Sequence, residues 1–514
     1  VGFYEDLERI FREGKIKTKD DLEKWKSIIA KRYRIPNPRN SEIMKKLPED
    51  IVEKYRNILV KKPSRTLSGV AIVAIMTSPF PCPHGKCIYC PGGPDKGTAQ
   101  SYTGYEPAAL RAAQYNFDPY EQTKARIEQL NAIGHPTDKI ELIIMGGTFT
   151  ARPRKYQEWF VKRAFDAMNG VDAHNLEEAH LINENAKNRC IGLTVETRPD
   201  WFMEREIDFA LYLGATRVEL GIQTVYDEIL EFVKRGHGVK ESILSTRLAK
   251  DAGFKINYHM MPGLPGSSLD MDFKAFKRIF EDPNFRPDML KIYPTLVVKG
   301  TELYEMWKRG EYEPYSLEEM VELLVKIISI IPPWVRIQRI QRDIPAKFIE
   351  AGVKRGDLRS LVMRELENRG IRCPEIRCRE VGRRGGENFK IIRRDYEASH
   401  GKEVFLSFED EDYDSIAAYL RLRLPSEYAH RSEVYDAAII REVKVFGQEV
   451  PIGQRSREAW QHRGFGKELI KEAERIAKEE WGVARMIVIS GVGVRNYYRK
   501  LGYERFGPYM AKAL

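Results

Sequence analysis

Cys82-Pro-His-Gly-Lys-Cys87-Ile-Tyr-Cys90 places three thiols within nine residues, just after the apolar run Val70–Ile75. Three thiolates at this spacing can hold three irons of one 4Fe–4S cluster. No fourth cysteine lies nearby, which leaves one iron open for a non-protein ligand. Zinc is the competing reading, with His84 as fourth ligand, because structural zinc sites take four protein ligands.

On either side of the triplet, short apolar runs alternate with amphipathic stretches. Strands are predicted at Val70–Ile75, Ile140–Met145, Gly192–Glu196, Arg217–Gly221, Ile256–Met260 and Leu290–Tyr293. Helices are predicted at Tyr120–Ile133, Lys155–Asn169, Met203–Leu213, Lys240–Ala252 and Asp270–Phe280. Such alternation implies βα units around a parallel sheet. Six units fall short of a closed eight-stranded barrel, so the expectation is an α/β partial (βα)6 barrel over 67–314.

Other regions read differently. Residues 1–66 form a basic helical segment, with helices at Asp20–Arg32 and Ser41–Val60. Residues 315–400 read as a junction, with a helix at Ser316–Ile330 and a strand-like Trp334–Ile340. Residues 401–514 read as a separate α/β unit, with strands at Glu403–Phe408, Val434–Phe446 and Ala484–Ser490, a turn at Phe446–Glu449, and helices at Phe465–Glu480 and Val494–Lys500.

The 514 residues carry a net charge of +10, and the excess is clustered. Lys31–Arg65 holds eleven Lys/Arg against four Asp/Glu, and Arg372–Arg394 eight against three. Such clusters fit a polyanionic partner, the plain alternative being solvated surface. Lys31, Arg32, Arg34, Arg39, Lys45 and Lys46 are the candidate phosphate contacts. No apolar run has the ~18–20 residues of a membrane span. Val1–Arg12 lacks the apolar core of a signal peptide, so a cytoplasmic location is expected. Cys373-Pro-Glu-Ile-Arg-Cys378 offers a zinc site completed by Glu375 or His400, or else free thiols or a disulfide. Cys190 stands alone and is expected in the core.

The incomplete triplet on the loop after strand one resembles the radical S-adenosylmethionine (SAM) superfamily, in which SAM binds the open iron. The family usually has three residues in the first gap, where this chain has four. The resemblance implies that Tyr89 contacts adenine. It implies that Gly146, Gly147 and Thr148, after the second strand, hold the methionine end. Thr148 stands where the family has an acidic residue. Glu196 falls where the family contacts ribose and carboxylate, the plain reading being a strand-end pair with Arg198. Met260-Met-Pro-Gly-Leu-Pro-Gly266 resembles the adenine-contacting loop after strand five.

Gln461-His-Arg463-Gly464-Phe465-Gly466 precedes an amphipathic helix. A glycine-rich turn at a helix N-terminus suits a pyrophosphate. The string resembles the acetyl-CoA signature of the GNAT fold. The resemblance places Val443 and Lys444 against pantetheine, Tyr497 or Tyr498 near the thioester, and Glu442 as a base, with a Glu442–Lys444 surface pair as the alternative.

A radical SAM barrel fused to a GNAT domain resembles the Elongator catalytic-subunit family. The strings Cys87–Pro94, Gln100–Pro107, Met145–Phe149, Lys291–Leu296 and Arg495–Lys500 carry the likeness. It implies synthesis of carboxymethyluridine at the tRNA wobble position, with SAM, a 4Fe–4S cluster and acetyl-CoA. It also implies an electron donor for the cluster and allows a homodimer. Lys139, before the second strand, is then a candidate acetyl-CoA contact, with a surface lysine as the plain reading. Two alternatives stand: a protein lysine acetyltransferase with a structural barrel, and a tRNA-binding or assembly protein without turnover.

Overall fold

The computed structural model describes residues 2–60, 69–446 and 464–514. Its first sheet is parallel throughout. It contains β1 (Ala71–Met76), β2 (Lys139–Met145), β3 (Arg189–Thr197), β4 (Arg217–Gln223), β5 (Lys255–Met260) and β6 (Met289–Ile292) in sequential order. A short β7 (Val297–Val298) follows. Then β8 (Arg336–Ile340) joins the sheet beside β6 as its seventh strand, and β9 (Ile349–Ala351) pairs with β7. The barrel sheet therefore runs past residue 314, where the sequence reading ended it. Leu317–Ser329 is its last crossover helix, burying Met320, Leu323 and Leu324 in the barrel core.

Alternation along these strands sorts the side chains. Ile140, Leu142, Ile144, Val218, Leu220, Ile256, Tyr258, Leu290 and Ile337 pack against the helices. The intervening positions Glu141, Arg217, Glu219, Lys255, Asn257, His259, Lys291 and Arg336 line the other, inner face. That face is polar along β4, β5 and β6 and carries apolar Ile72, Ala74 and Ile143 on β1 and β2.

The second sheet begins at 390, inside the expected junction. Its strands are β10 (Lys390–Ala398), β11 (Gly401–Asp410), β12 (Ser415–Leu424), β13 (Ala437–Val445), β14 (Arg485–Val488), β15 (Glu504–Phe506) and β16 (Tyr509–Ala513), in the order β10-β11-β12-β13-β14-β16-β15. β13 and β14 pair in parallel over Ala437–Ile440 only. Beyond that, β13 runs on through Arg441–Val445 and the two strands part. The helix Phe465–Arg475 packs on this sheet through Leu469, Ile470 and Ala473.

The two sheets meet through buried charge. Arg441 of β13 donates to both oxygens of Asp288, just before β6, at 2.7 and 2.8 Å. Arg423 of β12 donates to Asp251 at the end of the helix preceding β5, at 2.7 and 3.0 Å. Glu403 bridges both arginines. All five residues are almost wholly buried, so a missing partner would strand a charge out of water.

The N-terminal segment has its own small core around Leu7, Phe11, Leu22, Ile43 and Leu59. The helix Lys19–Tyr33 matches expectation. Ser41–Val60 is instead three short helices, Asn40–Lys46, Glu49–Lys54 and Arg56–Leu59. Pro48 sits at the first break, where it can start a helix but not continue one.

Candidate active site

The cysteine loop sits over the carboxyl ends of β1–β5. Gln100 Nε2 donates to Cys90 Sγ at 3.1 Å, and Arg235 Nη1 lies 3.7 Å from Cys87 Sγ. Thr148 Oγ1 is 3.3 Å from Cys82 Sγ, and His84 Nε2 is 3.2 Å from Cys87 Sγ. Arg198 donates to that same His84 nitrogen at 2.9 Å. Burial, with the Arg198 and Arg235 charges, pushes the His84 imidazole down to about 3. Arg198 takes up the lone pair of His84 Nε2, the nitrogen that faces Cys87, which argues against a zinc role for it. Burial also pushes the Cys90 thiol up to about 12 and raises that of Cys82. Thiolates here need a cation, which a cluster's irons supply. The donor set fits a 4Fe–4S cluster, with Arg235 and Gln100 placed to offset thiolate charge.

A close-packed glycine turn lies at the same end. Gly146 has φ +131°, and a Cβ there would lie 2.0 Å from Thr77 Oγ1. A Cβ on Gly147 would lie 3.2 Å from Gln100 and 3.8 Å from Cys82 Sγ. Only glycines let the β2 turn lie this close to the cysteine loop. Tyr89 is buried beside Cys87, and its hydroxyl has no hydrogen-bond partner. Glu196, at the end of β3, accepts from the Tyr102 hydroxyl at 2.8 Å. The Glu196–Arg198 pair weighed from sequence does not form, because Arg198 is held by Asp200 at 3.0 and 3.1 Å.

At the other end of the inner face stands β13. Val443 and Val445 face Gly466, where a Cβ would be 3.6 Å from Val445 and 4.0 Å from Val443. The parted strands and the Gly464-Phe465-Gly466 helix start thus share one cleft. Tyr497 reaches that cleft, its hydroxyl 3.2 Å from the Cβ position of Gly466. Tyr498 does not. It is packed edge-on between Tyr497 and Tyr503 in the domain core. Gln461 and Arg463 lie outside the described residues.

Glu442 and Lys444 point the opposite way, into the base of the barrel. Glu442 accepts from Arg421 Nε at 2.9 Å. Burial opposes its ionisation, but Arg421, Lys255 and Lys444 hold its carboxyl below the usual range. Lys444 lies among Arg336, Glu141 and Glu442. Glu442 is therefore an interface anion and not a free base. Lys139 opens β2 at this same lower end, paired in register with Arg189.

Two readings left open by the sequence are narrowed. Cys373 and Cys378 form a disulfide. Glu375 caps the next helix, accepting from the backbone of Ile337, Arg377 and Cys378 and from Arg359. His400 packs against Tyr428. Cys373, Glu375 and Cys378 stay within metal-ligating distance of one another, but with the two sulfurs bonded to each other neither is a free thiolate for zinc. The Arg372–Arg394 cluster is largely neutralised, with Arg372 and Arg384 on Asp414, Arg379 and Arg394 on Glu409, and Arg393 on Asp395 and Glu480. By contrast Lys31, Arg32, Arg34, Arg39, Lys45 and Lys46 are all exposed, and among the described residues only Arg32 of these pairs at close range, with Asp6. Cys190 is core, as expected.

Sequence reasoning missed Gln100, Tyr102, Arg235, Glu219, His259 and Lys291. Gln100, Tyr102 and Lys291 lie within quoted strings, but nothing local marked them as site residues. Among the described residues, no helix is long and apolar enough to cross a membrane.

The Radical SAM superfamily model matches residues 78–276, and the Radical_SAM C-terminal domain 287–368. The ELP3 N-terminal domain matches 7–67, and the Acetyltransferase (GNAT) family 375–503. A tRNA uridine(34) acetyltransferase of Methanocaldococcus jannaschii is 56% identical, covering 99% of this chain and 97% of that one. Elongator complex protein 3 of Mus musculus is 46% identical over 96% and 93%. The solved structure of Methanocaldococcus infernus Elp3 with an N-terminal deletion is 52% identical, with TM-score 0.78, covering 87% of this chain and 100% of that one. The sequence likeness spans nearly the whole chain, and the matched domains fall where the two sheets and the N-terminal helices lie; the chain belongs to the Elongator complex protein 3 family.

Proposed function

We propose that the protein modifies tRNA, adding a two-carbon unit from acetyl-CoA to C5 of the wobble uridine and leaving carboxymethyluridine. The observation that carries this reading is the shared inner face. The cysteine loop caps one end of it and the acetyl-CoA strand β13 closes the other, with buried Arg441–Asp288 and Arg423–Asp251 pairs fixing the two sheets together. Lys255 and His259 on β5 are four residues apart, about 13 Å along the strand.

Cys82, Cys87 and Cys90 would hold the cluster, with Gly146, Gly147, Thr148, Tyr89 and Glu196 around SAM. When bound, cluster and SAM supply a carbon radical able to take hydrogen from an acetyl methyl group. The protein's own residues position and enclose. Arg235 and Gln100 orient the thiolates. The parted β13 offers backbone groups to pantetheine at Val443 and Lys444, and the Gly464–Gly466 helix start offers N–H groups to pyrophosphate. Tyr497 borders the acyl end. The exposed N-terminal cations bind tRNA phosphates, which contribute most of the sequence-independent affinity. An external electron donor reduces the cluster, and a homodimer is compatible with the reading.

The test is anaerobic. Reconstituted enzyme, reductant, SAM, unmodified tRNA and methyl-13C acetyl-CoA should give labelled carboxymethyluridine, lost in Cys87→Ala. Protein acetylation that survives Cys87→Ala, with no modified nucleoside from the parent enzyme, would favour a lysine acetyltransferase instead.

A further inference from the structure

The inner face holds a carboxylate–imidazole pair that the reading above leaves without a task. Glu219 of β4 is fully buried, and its Oε1 accepts from His259 Nε2 at 2.7 Å and from Lys291 Nζ at 2.6 Å. Burial opposes its ionisation, but Lys291, His259 and Arg217 outweigh it and hold the carboxyl well below the usual range. An ionised carboxylate only accepts hydrogen bonds, so the His259 proton sits on Nε2. The other ring nitrogen, Nδ1, then presents a lone pair, as in a hydrolase His–Asp pair. Tyr293 meets the ring edge-on at 5.1 Å and fixes its plane.

Access follows the same order. The side chains of His259 and Lys291 are 14% and 13% exposed, whereas Glu219 behind them has none. Glu196 at the SAM end brings a carboxylate oxygen within 4.8 Å of the Glu219 and His259 ligand atoms. The pair therefore sits beside the position where the uridine must meet the radical. After coupling, the thioester carbonyl is one carbon away from uridine C5. The other candidate base, Glu442, is bound to Arg421 at the far end of the face.

We propose that His259, held by Glu219, is the base that hydrolyses the tRNA-linked thioester, with Lys291 neutralising the oxyanion; this rests on the function proposed above. Water attacks the thioester carbonyl carbon and gives its proton to His259 Nδ1. The carbonyl electron pair moves onto oxygen beside the Lys291 ammonium. On collapse the C–S bond breaks and sulfur leaves with the bonding pair. It takes the proton from the imidazolium. The products are the tRNA carboxymethyl acid, which ionises, and free CoA thiol. No electron is gained or lost. Glu219 is a positioning residue.

The experiment reads the ratio of CoA-thioester-linked to free carboxymethyl nucleoside on tRNA from reconstituted enzyme, by mass spectrometry. His259→Gln should raise this ratio by about 100-fold or more, the usual span of a lost general base. Glu219→Gln should raise it less, and imidazole should lower it again in His259→Ala. A ratio equal to wild type in His259→Gln, whatever the total yield, would overturn the proposal, since a merely structural loss lowers both species together. A parent enzyme that makes neither nucleoside would overturn the underlying function and this step with it.

Discussion

Arg441 and Asp288 form a two-point ion pair across the seam between the two sheets, at 2.7 and 2.8 Å, with both side chains wholly removed from water. Burial opposes ionisation of Asp288, but Arg441 and Arg421 hold its carboxyl far below the usual range. Its stabilising effect is therefore present above the unfolded aspartate value of about 3.9 and is lost as pH falls below it. Asp288→Ala should cost about 3–5 kcal/mol, because it strands buried guanidinium charge. Denaturant unfolding of both proteins at pH 7 checks this. The gap should narrow in acid, and a gap that widened there would contradict the sign.

The two adjacent tyrosines should separate cleanly. Tyr498→Ala removes a ring buried between Tyr497 and Tyr503 and should cost about 3–5 kcal/mol of stability. Tyr497→Phe should leave stability within about 0.5 kcal/mol, as expected for a partly exposed side chain, and raise the KM for acetyl-CoA. Thermal unfolding and acetyl-CoA titration of each variant check the assignment. The reverse pattern would exchange their roles.

Much of this arrangement was legible from residue patterns. The first six barrel strands appear as apolar runs near their observed positions, and the helix from Phe465 appears as an amphipathic repeat. Strand β12 did not, because Arg421 and Arg423 sit where an apolar strand would place hydrophobic residues. Those arginines are tolerated inside only because Asp251, Asp288 and Glu442 meet them, and no local window contains such partners. The same limit hid the Glu219–His259–Lys291 cluster, whose members come from three strands. The cysteine triplet was readable because its ligands are close in sequence. Cys373 and Cys378 left zinc, free thiols and a disulfide all open, since a five-residue separation suits a metal and a disulfide alike.

Gly146 should tolerate no side chain. Gly146→Ala would force a Cβ to 2.0 Å from Thr77 Oγ1 at φ +131°. SAM binding should be lost while the cluster absorbance of the reconstituted protein is kept. Equal SAM affinity in the variant would show that the β2 turn does not hold the ligand.

The N-terminal cations should act through tRNA phosphates. Replacing Lys31, Arg34, Arg39, Lys45 and Lys46 by Gln should weaken tRNA binding and flatten its salt dependence. The slope of log affinity against log salt should fall by about 0.7–0.9 for each phosphate that is no longer neutralised. Arg32, already paired with Asp6, should matter less. Binding curves at several salt concentrations measure both. An unchanged slope would place the tRNA elsewhere.

In the proposed reaction one chain brings an acetyl methyl group to the SAM end of its own barrel. Acetyl-CoA with a trideuterated methyl group follows the hydrogen of that group. One deuterium is expected in the 5′-deoxyadenosine and two in the carboxymethyl group of the same reaction. Deuterium-free 5′-deoxyadenosine formed alongside labelled carboxymethyluridine would contradict it.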